Sequence, residues 1–403
     1  MKALQIDRKL SRFAAARLTS ALNPGGGATF GPLELADIQP PTLPGPGWQV
    51  IKPRLAGICG SDLSTIDGAA SRYFEPIVSF PFVPGHEVVA DATDDHGNPN
   101  GTRYVLEPVL GCVARAIDPV CPSCARGDLG NCERIAFGCL EPGLQSGFCC
   151  DTGGGWSTSM VAHESQLHVV PESLSDEDAV LVEPTACAIH GALRAEPVDG
   201  QLIAVIGAGT LGLLTIAALK HFAPNAKLVV AARYPQQIRL AKLFGADVVC
   251  SSAEQPRVIR SLTGSMAYGN QLTGGCDTVI DCVGNDASIA QGLAMVKPRG
   301  RVVLVGMPSK VKLELTTLWH RETQLVGAYA YGTETLPDGS RRRTFDLAFE
   351  LAASAGLGRL LTQTYPLSEY QDAIERVPGR TPQRGEDRVR PARREAPMNR
   401  RIA

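Results

Sequence analysis

The chain has 403 residues, of which 44% are hydrophobic and 20% charged, and a formal net charge of −2. That length accommodates two or three domains with sizeable cores. The near-neutral balance excludes a broad positive field for nucleic acid, and no stretch approaches the roughly 18 apolar residues that a membrane span needs. Met1-Lys2-Ala3-Leu4-Gln5 opens no apolar run suited to secretion, so a soluble, cytoplasmic protein is expected. Twelve cysteines in that setting point to metal rather than to disulfides.

Residues 1–185 are rich in Gly and Pro and carry short β-like runs at Trp48 to Ile51, Val88 to Ala90, Tyr104 to Leu106 and His168 to Val170. This pattern predicts an irregular β-rich domain. Three motifs inside it carry chemistry: Gly57-Ile58-Cys59-Gly60-Ser61-Asp62, Gly85-His86-Glu87 and Glu183-Pro184. Cys59, His86 and Glu183 offer a thiolate, an imidazole and a carboxylate, the open three-ligand set of catalytic zinc. Ser61 places a hydroxyl two residues from Cys59, where it can relay a proton. Between these motifs Cys112, Cys121, Cys124 and Cys132 are spaced Cys-x8-Cys-x2-Cys-x7-Cys. Four thiolates suit a closed structural zinc, bracing a lobe over about residues 108–135.

Near Leu181 the texture changes. Ile203 to Ile206, Leu228 to Val230, Val248-Val249, Thr278 to Ile280 and Val302 to Val305 read as buried strands. Leu211 to His221 and Gln236 to Phe244 read as the helices between the first of them. Alternation of this kind predicts a doubly wound parallel sheet, here a Rossmann domain over 186–326. Its first turn is Gly207-Ala208-Gly209-Thr210-Leu211-Gly212, after a strand and opening a helix, the context a dinucleotide site requires. The next strand ends in Ala231-Ala232-Arg233-Tyr234, with no acid to grip the ribose hydroxyls of NAD. The planar fork of Arg233 suits a 2′-phosphate, so NADP is expected over NAD. Residues 327–378 return to mixed texture around a helix from Thr344 to Ala353, and 379–403 form an Arg- and Pro-rich tail that is expected to stay unpacked.

Taken in order, these motifs resemble the zinc-dependent medium-chain dehydrogenase/reductase family, which includes alcohol, sorbitol, threonine and glucose dehydrogenases. The resemblance spans roughly residues 1–378. It implies a β-rich GroES-like catalytic domain (1–185 and 327–378), a Rossmann domain, and an active site in the cleft between them. It further implies that Asp62 hydrogen-bonds the His86 imidazole, that Glu87 is a candidate exchanging fourth ligand, and that Cys187 approaches the nicotinamide. The glutamate at 183 resembles the sorbitol and threonine branch. Two departures stand out. Ser64 occupies the place of a histidine that carries the proton outward in some relatives. The gap after Cys112 is enlarged, so either Cys112 still binds or Cys139 replaces it. The implied activity is hydride transfer between NADP(H) and a polyol, sugar or secondary alcohol, by a homodimer or homotetramer acting on a small molecule. The alternatives are a zinc-free type of carbon–carbon double-bond reductase, acting on enones or quinones, and a non-catalytic protein that binds zinc and NADP.

Overall fold

The computed structural model describes residues 1–22, 26–94 and 96–377 and the backbone of 401–402. They form two units, one of Met1–Leu181 with Leu357–Ala403, the other of Val182–Gly356.

In the first unit β1 (Lys2–Ile6) pairs antiparallel with β2 (Leu33–Asp37). The connection between them carries α1 (Leu10–Leu22) and the single turn α2 (Gly27–Phe30). The sequence reading assigned no helix here, although Leu10–Leu22 is rich in Ala, Leu and Arg, which lose little freedom in a helix. The main sheet joins β3 (Trp48–Ala56), β4 (Val88–Thr93), β5 (Pro99–Leu106), β6 (Met160–His163) and β7 (Leu167–Val169). Among themselves these five pair antiparallel: β3 with β4 and β6, β4 with β5, and β5 with β7. The four expected β runs fall in β3, β4, β5 and β7. Short helices α3 (Gly60–Ile66), α4 (Pro122–Arg126) and α5 (Asp176–Ala179) interrupt the connections. Leu4, Ile6, Ile51, Val88, Leu106, Trp156 and Met160 make a common core.

The second unit opens with α6 (Val182–Arg194), so Glu183 belongs to it. Then follow β8 (Leu202–Ile206), α7 (Thr210–Phe222), β9 (Lys227–Ala231), α8 (Pro235–Leu243), β10 (Val248–Cys250) and α9 (Gln255–Thr263). A small hairpin, β11 (Ala267–Tyr268) and β12 (Gln271–Leu272), leads to β13 (Cys276–Asp281), α10 (Asp286–Met295), β14 (Val296–Leu304), α11 (Thr316–His320) and β15 (Gln324–Gly327). Six of these strands form one parallel sheet in the order β10-β9-β8-β13-β14-β15. The order reverses between β8 and β13, and in open α/β sheets ligands bind beyond the carboxyl ends of the strands at such a reversal.

A hairpin of β16 (Thr333–Thr335) and β17 (Arg341–Arg343) and the helix α12 (Thr344–Ala355) complete this unit. The sequence predicts a Rossmann domain that ends at 326 and a return of 327–378 to the first domain. The structure keeps the chain in the second unit as far as Gly356, because α12 buries Phe345, Leu347, Ala348 and Leu351 and packs on α6 and α7. The remainder, β18 (Tyr365–Pro366), α13 (Tyr370–Glu375) and β19 (Arg401–Ile402), rejoins the first unit, where β19 runs parallel to β3 and antiparallel to β18. Apart from those last two residues, the tail expected to stay unpacked lies outside the described residues.

Candidate functional site

Cys59 sits at the N-cap of α3, after β3. Its backbone N–H donates to Asp62 Oδ2 at 3.0 Å, one half of a capping box that fixes the first turn. His86 precedes β4 and is held by Gly85, whose φ of +90° is the left-handed region that favours glycine. A Cβ at Gly85 would lie 2.5 Å from Trp156 Cδ1. Trp156 is fully buried and donates through Nε1 to the carbonyl of Gly57 at 3.0 Å. The turn leading to Cys59 and the turn carrying His86 therefore both pack on one indole. A Cβ at Gly57 would come within 1.9 Å of Glu87 Oε2, so the glycine makes room for that carboxylate.

One donor atom each from Cys59, His86 and Glu87 lies within 4.8 Å of the others. Asp62 Oδ1 stands 3.6 Å from His86 Nδ1, leaving Nε2 for a metal. Burial raises the pKa of the Cys59 thiol, with His86 opposing. Burial works against protonating His86, but the charges of Asp62 and Cys59 outweigh it and carry the imidazole pKa well above its usual value. Negative groups that attract a proton so strongly also attract a divalent cation to the same lone pair. Ser61 Oγ, Asp62 Oδ1 and His86 Nδ1 are buried without a hydrogen-bond partner among the described residues. The mixed S, N and O donors of Cys59, His86 and Glu87 fit zinc. Glu183 is buried on α6, where the Cys187 thiol donates to its Oε1 at 3.8 Å.

The sulfur atoms of Cys112, Cys121, Cys124 and Cys132 form a second group, all within 4.8 Å of one another. Cys112 and Cys132 are 3.7 Å apart, and Cys121 and Cys132 4.0 Å. A zinc–sulfur bond of about 2.3 Å puts tetrahedral sulfurs about 3.8 Å apart, so the cage has the size of the ion. Backbone N–H groups point at the sulfurs: Cys121 N to Cys112 Sγ at 3.3 Å, Cys112 N to Cys124 Sγ at 3.5 Å, Cys124 N and Glu133 N to Cys121 Sγ at 3.4 Å each, and Arg134 N to Cys132 Sγ at 3.4 Å. Such donors stabilise thiolate. Burial raises Cys121, but the N–H groups of Cys124 and Glu133 overcome it and lower that thiol to about 7. Cys139 is exposed, with its thiol on the carbonyl of Ala114.

In the second unit the glycine turn joins β8 to α7, with Gly209 at the N-cap and Thr210 and Leu211 opening the helix. Gly207 has φ +93°. A Cβ at Gly212 would strike Gly207 O at 2.0 Å, whereas one at Gly209 would meet nothing within 4 Å. Gly207 and Gly212 thus shape the turn, while Gly209 leaves its outer side clear for a close-approaching pyrophosphate. Arg233 follows β9, exposed, with its guanidinium carbon 5.4 Å from the centroid of the Tyr234 ring. Gln237 Oε1 accepts from the N–H groups of both residues, at 3.1 and 3.2 Å.

Residues 45–172 match the family described as "Alcohol dehydrogenase GroES-like domain", and residues 210–344 the one described as "Zinc-binding dehydrogenase". The chain belongs to the zinc-dependent medium-chain dehydrogenase/reductase family. Among its relatives, sorbitol dehydrogenase of Bacillus subtilis is 28% identical over 337 residues, covering 81% of this chain and 86% of its own. Erythritol/L-threitol dehydrogenase of Mycolicibacterium smegmatis is 27% identical over 357 residues, covering 82% and 88%. The solved alcohol dehydrogenase TADH of Thermus sp. ATN1 shares the fold at a TM-score of 0.66 and 23% identity, over 93% of this chain and 96% of its own. This medium-chain dehydrogenase is an NAD(P)-dependent oxidoreductase. No helix among its described residues is long and apolar enough to cross a membrane.

Sequence reasoning missed the residues that hold the site in place. Trp156 was not singled out, nor was Phe148, whose ring lies 5.7 Å from that of His86. In the second unit, buried Asp281 accepts from the N–H groups of Val283 and Gly284 at 2.8 and 3.1 Å and from the Ser288 hydroxyl at 2.8 Å. It thereby fixes the loop whose Val283 abuts Gly207. An acid ending a strand beside Cys-Val-Gly was the available signal.

Proposed function

We propose that this protein transfers hydride between NADP(H) and a polyol, sugar or secondary alcohol, with one zinc held by Cys59, His86 and Glu183 and a structural zinc held by Cys112, Cys121, Cys124 and Cys132. Glu87 serves as an exchanging fourth donor. The zinc reading rests on the convergence of Cys59, His86 and Glu87 donor atoms within 4.8 Å, near Asp62 Oδ1 and Ser61 Oγ, which have no hydrogen-bond partner among the described residues. The ion supplies a Lewis acid of the kind that lowers the pKa of water to about 7. Asp62, 3.6 Å from His86 Nδ1, would orient the imidazole toward the metal. The Ser61 hydroxyl takes the substrate proton, which then leaves through water, since Ser64 offers no imidazole.

Choice of NADP rests on Arg233, whose guanidinium carbon lies 5.4 Å from the Tyr234 ring centroid, in place of the acid that NAD enzymes use. NADP(H) would supply the hydride acceptor or donor. Gly207, Gly209, Thr210, Leu211 and Gly212 would hold the pyrophosphate at the start of α7, and Cys187 would approach the nicotinamide. The polyol class is supported by the names of the sorbitol and erythritol relatives. A cytoplasmic homodimer or homotetramer completes the reading.

The test is steady-state turnover with NADP and NAD over a panel of polyols and secondary alcohols, together with zinc analysis. NADP preference, activity on that panel and two zincs per chain are expected. A clear NAD preference overturns the role of Arg233, and a chain without zinc overturns the metal reading.

A further inference from the structure

Arg115 lies inside the enlarged gap between Cys112 and Cys121, three residues beyond the first cysteine. It is among the largest fully buried side chains, at 0% exposure. Its guanidinium donates five hydrogen bonds: Nε to Leu110 O at 3.0 Å, Nη1 to Phe137 O at 3.0 Å, Leu140 O at 3.3 Å and Glu141 O at 3.4 Å, and Nη2 to Gly143 O at 2.6 Å. Every acceptor is a neutral carbonyl. Leu110 enters the cysteine lobe, and residues 137–143 leave it after Cys132. The fork therefore stitches the two strands of the lobe's neck together.

A buried cation without a bonded carboxylate is costly. Dipoles of five carbonyls offset part of that cost and an anion nearby must offset more. Burial lowers the Arg115 pKa, opposed in turn by the charges of Cys149, Cys132, Cys139 and Asp151; Cys132 belongs to the cysteine cage, which around a divalent ion would carry a net charge of −2. We propose that Arg115 is a positioning residue for the metal of this lobe: it supplies the buried counter-charge to the tetrathiolate cage and closes the neck that an enlarged gap would otherwise leave loose. The neck continues into Gly143, bridged to Val78, and Leu144, whose N–H donates to Ile77 O at 3.1 Å. It then reaches Phe148 against His86. The proposal rests on reading the four cysteines as a zinc site.

The experiment measures zinc content and the zinc affinity of the lobe, by competition with a chromophoric chelator, in the full chain. Arg115→Met, which keeps the length and loses both charge and donors, lowers lobe affinity about 10–100-fold, the usual effect of removing a partner behind the ligands, and the purified protein falls from two zincs toward one. Arg115→Lys keeps the charge but cannot reach five carbonyls, and gives a smaller loss; it also serves if the Met variant fails to fold. In cobalt-substituted protein the thiolate-to-cobalt absorption of the lobe weakens in the Met variant. Wild-type affinity in either variant overturns the proposal. Failure of the underlying reading looks different: wild-type protein then carries no zinc that Cys124→Ser removes.

Discussion

Asp62 Oδ1 stands 3.6 Å from His86 Nδ1, both atoms buried and without another partner among the described residues. Its other oxygen holds the Cys59 N–H, so one carboxylate orients two proposed ligands. Asp62→Asn keeps the shape and loses the charge. Zinc affinity of the site is expected to fall about 10–100-fold, read by competition with a chelator. An unchanged affinity would show that His86 is oriented by something else.

Cys59→Ser should abolish turnover while leaving dinucleotide binding nearly intact, because Cys59 lies in the first unit and the glycine turn in the second. Quenching or enhancement of nicotinamide fluorescence measures the binding separately from the chemistry. Normal turnover in this variant would end the assignment of Cys59.

Arg233→Ala tests the choice of cofactor. A hydrogen bond to a charged group contributes about 1.5–3 kcal/mol, so KM for NADP should rise about 10–100-fold with little change for NAD. Equal changes for both cofactors would remove the 2′-phosphate from the argument.

Asp176 predicts a pH effect on stability. Burial raises its pKa, but Arg103 at 2.6 Å and Arg54 at 2.7 Å outweigh it and hold the carboxylate below its usual range. A depressed folded-state pKa contributes stability above the unfolded value of about 3.9, and that contribution is lost as pH falls through the folded value. Asp176→Asn should therefore cost about 1 kcal/mol near neutrality, given the partly exposed arginines. The gap from wild type should stay constant down to about pH 5 and close below about pH 4. Urea midpoints across that range decide it, and a gap that widens in acid contradicts the pairing.

Gly85→Ala is expected to destabilise the first unit by about 1–3 kcal/mol. The cause is double: a left-handed φ, and a methyl 2.5 Å from an indole carbon. Thermal unfolding of the variant beside Trp156→Phe shows whether the indole carries the clash.

Much of the frame is legible in the residues themselves. The apolar runs and the glycine turn mark β8, α7 and β9, and the four cysteines stand out by spacing alone. The less visible parts share a reason. Arg115 is a residue type almost never fully buried, and its partners are carbonyls that any sequence provides. The link from Trp156 to Gly57 and Gly85 joins segments far apart in the chain, with no local pattern to announce it. The end of the second unit at Gly356 depends on which helix face finds a partner, and α12 looks equally amphipathic wherever it docks.

The three glycines of the nucleotide turn differ in what protects them. At Gly207 and Gly212 an added methyl collides with the protein's own atoms, so any lineage that keeps the fold keeps them. At Gly209 a methyl meets nothing of the protein, and folding exerts no pressure to exclude it. That position is guarded only through the partner molecule that comes close, which makes drift at 209 an early mark of a descendant that has given up its cofactor while still folding.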